Sequence, residues 1–150
     1  MKLLVQRVKS AHVTVNDETI GQIDQGLLAF LGIHVDDTEG DIAWLVDKLV
    51  HLRIFEDDAG KMNHSVLDNG GSILLVSQFT LYGNCSQGRR PSFIEAASSE
   101  IAKPLYKKFV ESLQAFPITI ATGEFGAEMA VHLINDGPVT LQLEKKSLRA

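Results

Sequence analysis

Apolar and polar positions alternate through the first third of the chain in the manner of strands. β-Branched and aliphatic residues dominate Lys2 to Val8 and Ala11 to Val15, and Lys9-Ser10 between them is short enough for a hairpin, although it lacks an Asn-Gly turn. Thr19 to Ile23 predicts a weaker strand. Gly26 then opens Leu27 to Ile33, a nearly continuous apolar run that suits a strand covered on both faces. Past the acidic turn Asp36-Asp37-Thr38-Glu39-Gly40, the segment Asp41 to Leu52 sets Ile42, Leu45, Val46, Leu49 and Val50 at helical spacing, with Trp44 and Lys48 off that stripe. This pattern predicts an amphipathic helix.

Two turn signals, Asp57-Asp58-Ala59-Gly60-Lys61 and Asp68-Asn69-Gly70-Gly71, bracket a predicted loop, and the strongly apolar Ser72 to Phe79 follows as a central strand. Gly83 to Pro91 reads as a polar loop. Ile101, Leu105, Phe109, Val110 and Leu113 mark a second helix with Lys107 and Lys108 on its wet side. Pro104 complicates its start: a proline costs about 3 kcal/mol inside a helix, so either the helix begins near residue 103 or Ser99 to Lys103 forms a separate turn. Ile118 to Ala121, Ala130 to Ile134 and Val139 to Leu143 complete seven or eight predicted strands beside two main helices. The expected class is α/β, a single domain of largely antiparallel sheet, with Lys145 to Ala150 as a polar tail.

Composition narrows the range of functions. With 45% apolar and 22% charged residues in 150, the chain can build a real core and has no compositional case for disorder. A net charge of −5 argues against broad nonspecific nucleic-acid binding while leaving room for a local basic patch. The single cysteine, Cys85, excludes an intrachain disulfide framework and any multi-cysteine metal site, and fits a reducing compartment. The longest apolar runs, such as Leu27 to Leu31, are too short to cross a bilayer, and Gln6 and Arg7 interrupt the opening before a signal-peptide core forms. A cytoplasmic location is expected. His12, His34, His51, His64 and His132 lack the spacing of a zinc site, so no metal is expected. There is no Gly-x-Ser-x-Gly elbow and no P-loop, and Cys85, between Asn84 and Ser86 with no histidine partner, reads as an incidental thiol.

Two segments join a packed element to an abrupt change of character. In Ser77-Gln78-Phe79-Thr80-Leu81 an apolar strand ends among hydrogen-bonding residues. An ordinary strand end accounts for this as well as the alternative, in which backbone N–H groups leaving the ladder hold an oxyanion. In Asn135-Asp136-Gly137-Pro138-Val139-Thr140, glycine removes the Cβ constraint and proline removes a donor, which makes either a plain turn or a rigid corner with outward carbonyls. About 5–6% of X–Pro bonds are cis by default.

These two segments, together with Gln6-Arg7-Val8 and with Gly88 before Arg90-Pro91-Ser92-Phe93, closely resemble the motifs of the D-aminoacyl-tRNA deacylase family, in order and spacing from Met1 to about Leu143. The resemblance implies that residues 1–144 form the fold of that family. It implies an editing hydrolase that cleaves the ester joining a D-amino acid to the 3′-terminal adenosine of tRNA and also clears glycine mischarged onto alanine tRNA, with no cofactor and with neither DNA nor membrane as partner. It also implies a homodimer in which Gly137 and Pro138, joined by a cis peptide bond, enter the other subunit's site and exclude L side chains while their carbonyls hold the α-amino group.

For the chemical step, Thr80 has no His, Lys or carboxylate in its motif to serve as base. The resemblance implies instead that the RNA's terminal 2′-hydroxyl assists attack by water, with an oxyanion hole of backbone N–H groups around Gln78, Phe79 and Thr80 after Ser77. Arg7 is expected to brace the Gly-Pro corner, its alternative being a solvated strand arginine. Phe125 and Met129, four apart, form either an apolar wall for the terminal adenine or ordinary core packing. Arg89 and Arg90 are candidates for phosphate contacts or plain solvated charges. Two rival readings remain: a small esterase with Thr80, Ser77 or Cys85 as nucleophile, and a noncatalytic RNA-end binding module.

Overall fold

The computed structural model of the chain describes residues 1–146, so most of the polar tail foreseen at 145–150 lies outside the described residues. In chain order the elements are β1 (Lys2–Val15), β2 (Glu18–Ile23), β3 (Gly26–Gly32), α1 (Gly40–His51), β4 (Phe55–Glu56), β5 (Met62–His64) and α2 (Val66–Asn69). There follow β6 (Ser72–Ser77), a 3-10 turn (Phe79–Tyr82), α3 (Ser99–Gln114), β7 (Thr119–Thr122) and β8 (Ala130–Glu144). The main sheet runs β2-β1-β3-β6-β7, with β8 on the free edge of β1. β1 is antiparallel to β2, β3 and β8, whereas β6 lies parallel to both β3 and β7.

The structure corrects the expected boundaries in four places. Lys9-Ser10 is no hairpin, because β8 pairs with β1 on both sides of it and the two residues sit within a bulged ladder. The turn comes later, at Asn16 and Asp17, whose φ angles of 49° and 64° suit a tight hairpin between β1 and β2. Ala130 to Ile134 and Val139 to Leu143 are likewise halves of one strand, for the same ladder holds both. Helix α3 begins at Ser99 and runs through Pro104, because Pro104 is exposed and leaves unbonded only the carbonyl of Glu100 in the exposed first turn. Ile101 consequently faces water, and Ala102, Leu105, Tyr106, Phe109 and Leu113 form the buried face. Finally, the loop foreseen between the two turn signals contains the β4–β5 ribbon and the short helix α2, with Ser65 and Asp68 in a capping box.

The predicted stripe of α1 is buried, and with α3 it covers one face of the sheet over Leu3, Val5, Leu27, Ala29 and Leu31. On the other face Val8, Val13, Ile23, Leu28, Leu74 and Val76 form a second core. This second core is enclosed because the sheet curls until β2 meets β7: a Cβ on Gly21 would lie 2.3 Å from the Thr122 carbonyl oxygen. Apolar cover on both faces explains the near-continuous hydrophobic runs of β3 and β6. Strand β8 is different, since Leu133, Ile134 and Leu141 are exposed along it.

Candidate active site

The buried Ile73-Leu74-Leu75-Val76 segment fixes the central strand β6, and its end fixes the site. At Gln78 the N–H donates to the Leu31 carbonyl at 2.8 Å, the last bond toward β3. The backbone then tightens into the 3-10 turn, where Leu81 N–H donates to Gln78 O at 3.2 Å and Gly83 N–H to Thr80 O at 2.9 Å. A turn of this kind leaves its first donors without partners. Among the described residues the N–H groups of Phe79 and Thr80 meet no acceptor, whereas that of Gln78 is engaged. The set of backbone donors read from the sequence thus narrows to Phe79 and Thr80. Gln78 turns its side-chain amide onto the Thr80 hydroxyl, so that hydroxyl is paired with a neutral group.

Beside this turn opens a cavity of about 600 Å³. Ser77, Gln78 and Phe79 line one side, Phe125 and Met129 another, and Phe93 and Ala96 to Ser99 with Ala102 a third. Phe125 rests on the ring of Tyr106 with centroids 5.6 Å apart. Burial pushes the Tyr106 phenol up to about 12, and it donates to the Leu75 carbonyl at 3.3 Å as a fixed prop. Met129 has its place because residue 123 is glycine: a Cβ there would lie 2.6 Å from the Met129 sulfur. Among the described residues lining the cavity, none is Asp, Glu, His, Lys, Arg, Cys or Tyr.

The Gly-Pro segment stands apart from this cavity. Between the pairs Val8↔Asn135 and Gln6↔Thr140 only Arg7 intervenes on β1, so Asp136 to Val139 arch away from the ladder. The Gly137–Pro138 peptide bond in that arch is cis. Arg7 holds the arch: its side chain is 7% exposed, Nε donates to Asp136 O at 3.1 Å and lies 3.3 Å from the Asp136 carboxylate, and Nη1 donates to Ile54 O at 2.6 Å. A solvated strand arginine is therefore excluded. Asn135 closes the arch by donating from Nδ2 to Arg7 O at 3.0 Å and Val139 O at 3.1 Å.

Of the residues singled out in the sequence, the cavity brings together Ser77, Gln78, Phe79, Phe125 and Met129. Thr80, Arg7, Gly137 and Pro138 do not line it, nor do Arg89 and Arg90, which are exposed in a loop pinched by reciprocal Asn84–Ser92 backbone bonds of 2.8 and 2.9 Å. The wall of Phe93 and Ala96 to Ser99 was missed; the run of small residues Ala96-Ala97-Ser98-Ser99 leading into α3 was its only local signal.

Comparison with known proteins adds a separate kind of information. A family model described as D-Tyr-tRNA(Tyr) deacylase matches residues 4–144. The chain is 57% identical over 146 residues to the D-aminoacyl-tRNA deacylase of Geobacillus sp. (strain WCH70), covering 97% of this chain and 96% of the relative. It is 52% identical over 148 residues to the D-aminoacyl-tRNA deacylase of Desulfotalea psychrophila, with 99% of each chain covered. Among solved structures, one described as "c-Myc DNA Unwinding Element Binding Protein" is 43% identical with a TM-score of 0.93, over 98% of this chain and 100% of the other. A second, described as a probable eukaryotic D-amino acid tRNA deacylase, shares the fold at 18% identity and a TM-score of 0.83, over 95% of this chain and 97% of the other.

Proposed function

The chain belongs to the D-Tyr-tRNA(Tyr) deacylase family and is a hydrolase of D-aminoacyl-tRNA, and from that premise we propose how its residues perform and restrict the reaction. Water attacks the ester carbonyl carbon, the N–H groups of Phe79 and Thr80 receive the oxyanion, and collapse expels the 3′-oxygen, which leaves protonated as the tRNA hydroxyl. The observation that carries this reading is the makeup of the cavity wall, which offers no titratable side chain beside those two donors. Proton transfer is therefore assigned to the substrate's own 2′-hydroxyl and to water. Phe125 and Met129 supply the wall for the terminal adenine.

Selection is assigned to the Gly137-Pro138 arch of a second copy of the chain. Two features support this: the arch does not line its own chain's cavity, and β8, which carries it, is an edge strand with exposed Leu133, Ile134 and Leu141. In a two-fold dimer each arch would complete the partner's site. A stiff backbone wall that excludes an L side chain has nothing to exclude in glycine, so glycine mischarged onto alanine tRNA is a second substrate. Arg89 and Arg90 are assigned to phosphates of the RNA, and the reaction to the cytoplasm. No DNA-binding role is proposed, since a net charge of −5 provides no broad basic face.

The test is deacylation of D-Tyr-tRNA, L-Tyr-tRNA and Gly-tRNA by the wild-type protein. Hydrolysis of the D and glycyl esters alone is expected, whereas binding with no turnover of any ester would leave only an RNA-end binding module. Thr80→Ala should keep most of the D-ester activity, because the Thr80 hydroxyl is paired with a neutral amide and is assigned no bond-making role. A covalent nucleophile would instead show a loss of about 10⁶-fold and a trappable acyl-enzyme in the wild type. Gly137→Ala should lower kcat/KM for the D ester. Its Cβ would lie 2.7 Å from Asn135 Oδ1, and Asn135 is held by two carbonyls. Overpacking of about 1–3 kcal/mol corresponds to a loss of about five- to 160-fold, measured with the dimer confirmed for the variant.

A further inference from the structure

Above the cavity, the loop bearing Arg89 and Arg90 returns through Ser92 into the chain's most exposed hydrophobic stretch among the described residues. Phe93 lines the cavity and is seated against Gly83, where a Cβ would lie 3.0 Å from Phe93 Cε1. Its ring meets that of Phe79 edge-on, with centroids 5.3 Å apart and planes at 67°. Phe79 is 58% exposed, Phe93 38%, and the next residue, Ile94, 84%. The backbone beneath is pinned on both sides, by the Asn84–Ser92 bonds before it and by Val35 N–H to Glu95 O at 2.9 Å and Ala96 N–H to Phe93 O at 3.0 Å after it. Two aromatic rings thus stand at the cavity on a fixed backbone, with the exposed Ile94 following Phe93 in the chain. The loop from Gly83 to Ser92 contains two guanidinium groups and no acidic residue.

We propose that Phe79, Phe93 and Ile94 form a ledge on which the nucleobase preceding the terminal adenosine stacks, while Arg89 and Arg90 meet the phosphates of the same single strand. This rests on the deacylase reading above. Phe79 joins the two sites: it borders the cavity, and its exposed ring stands beside that of Phe93. An RNA strand leaving the cavity past the scissile ester crosses this rim. Apolar rings flanked by arginine are a general solution for holding single-stranded nucleotides without reading their sequence, because every base offers a flat face. A second copy of this chain is the other occupant such a surface could take. The concentration of positive charge on the adjoining loop favours the RNA.

The experiment uses three D-tyrosyl esters, of adenosine alone, of the 3′-terminal trinucleotide, and of the whole tRNA, with wild type and with Ile94→Ser. Ile94 is almost wholly in water, so the substitution leaves the fold intact. The ratio of kcat/KM for the trinucleotide ester to that for the adenosine ester should fall about five- to a hundredfold in Ile94→Ser, chiefly through KM. Arg89→Gln with Arg90→Gln should flatten the salt dependence for the tRNA ester. An unchanged ratio overturns the ledge. So does a fall of equal size on all three esters, or a shift of the variant's sedimentation that accompanies an unchanged ratio and assigns Ile94 to a subunit contact. If the wild type cleaves none of the three esters, the deacylase reading itself fails, and that result is distinct from each of the others.

Discussion

Replacing the terminal 2′-hydroxyl of D-Tyr-tRNA by hydrogen is expected to lower the single-turnover rate of ester hydrolysis about 10²–10⁴-fold, with little change in binding. The turn beside the cavity leaves the Phe79 and Thr80 N–H groups without acceptors and the cavity walls are largely apolar, yet among the described residues lining it no side chain can exchange a proton near neutral pH. The phenol of Tyr106, which backs Phe125 of the wall, is held protonated by burial and already donates to Leu75. Within the site, then, the vicinal hydroxyl of the ribose is the group that can orient the attacking water and relay its proton. Single-turnover assays on ribose and deoxyribose esters of the same D-amino acid separate this step from product release. Equal rates would return proton transfer to the protein and sink the substrate-assisted mechanism.

Arg7→Met should cost about 3 kcal/mol of stability and, with it, the discrimination between enantiomers. The guanidinium holds two parts of the chain at once, the Ile54 carbonyl beyond α1 and the Asp136 carbonyl and carboxylate in the Gly-Pro arch. Methionine fills a similar volume but leaves those acceptors unpaired, a loss that mutational series place at about 3–5 kcal/mol for a buried pair. The lower figure applies because the Asp136 side chain is 32% exposed and water can partly replace its partner. In a chain of this size the melting temperature should drop by about 6–12 °C. The functional readout is the ratio of D-Tyr-tRNA to L-Tyr-tRNA hydrolysis, which should fall as the arch loosens. A variant with wild-type melting and an unchanged ratio would mean that the arch is rigid without its clamp.

Much of the architecture was legible because it is local. The stripe of α1 and the two-sided apolar runs of β3 and β6 are consequences of helical and strand periods, and the structure buries them accordingly. The errors at Lys9-Ser10 and between Ile134 and Val139 share a cause: both segments look like breaks in isolation, and the β1–β8 ladder resumes on the far side of each, past a bulge at Lys9 and past the arch at Asp136 to Val139. Pro104 misled for a related reason, since its cost depends on whether the orphaned carbonyl is buried, and exposure is a tertiary property. The end of β6 could be recognised from Ser77 to Thr80, but that the Gln78 N–H is taken by Leu31 depends on a parallel neighbour 47 residues earlier (78 − 31). The small-residue wall from Ala96 to Ser99 faces the cavity because α3, which it leads into, is held against β7 and tied to β6 by the Tyr106–Leu75 bond.

The ladder between β1 and β8 also bears on when a newly made chain could become selective, once selection is assigned to the Gly137-Pro138 arch as proposed above. Lys2 lies opposite Glu144, and the Lys145 N–H donates to Met1 O at 2.9 Å, so β1 finds its long partner only after β8 has left the ribosome. Until then β1 can zip to β2 and β3, and the end of β6 can settle against β3. The bond from Arg7 to Asp136 spans 129 positions of sequence and must wait. Contacts of such separation add little equilibrium cost per residue of loop but are slow to find. On the assignments proposed above, the Phe79 and Thr80 N–H groups can thus be in place while the Gly137-Pro138 arch is still unmade, and a growing or truncated chain would present its oxyanion donors before the arch to which selection is assigned.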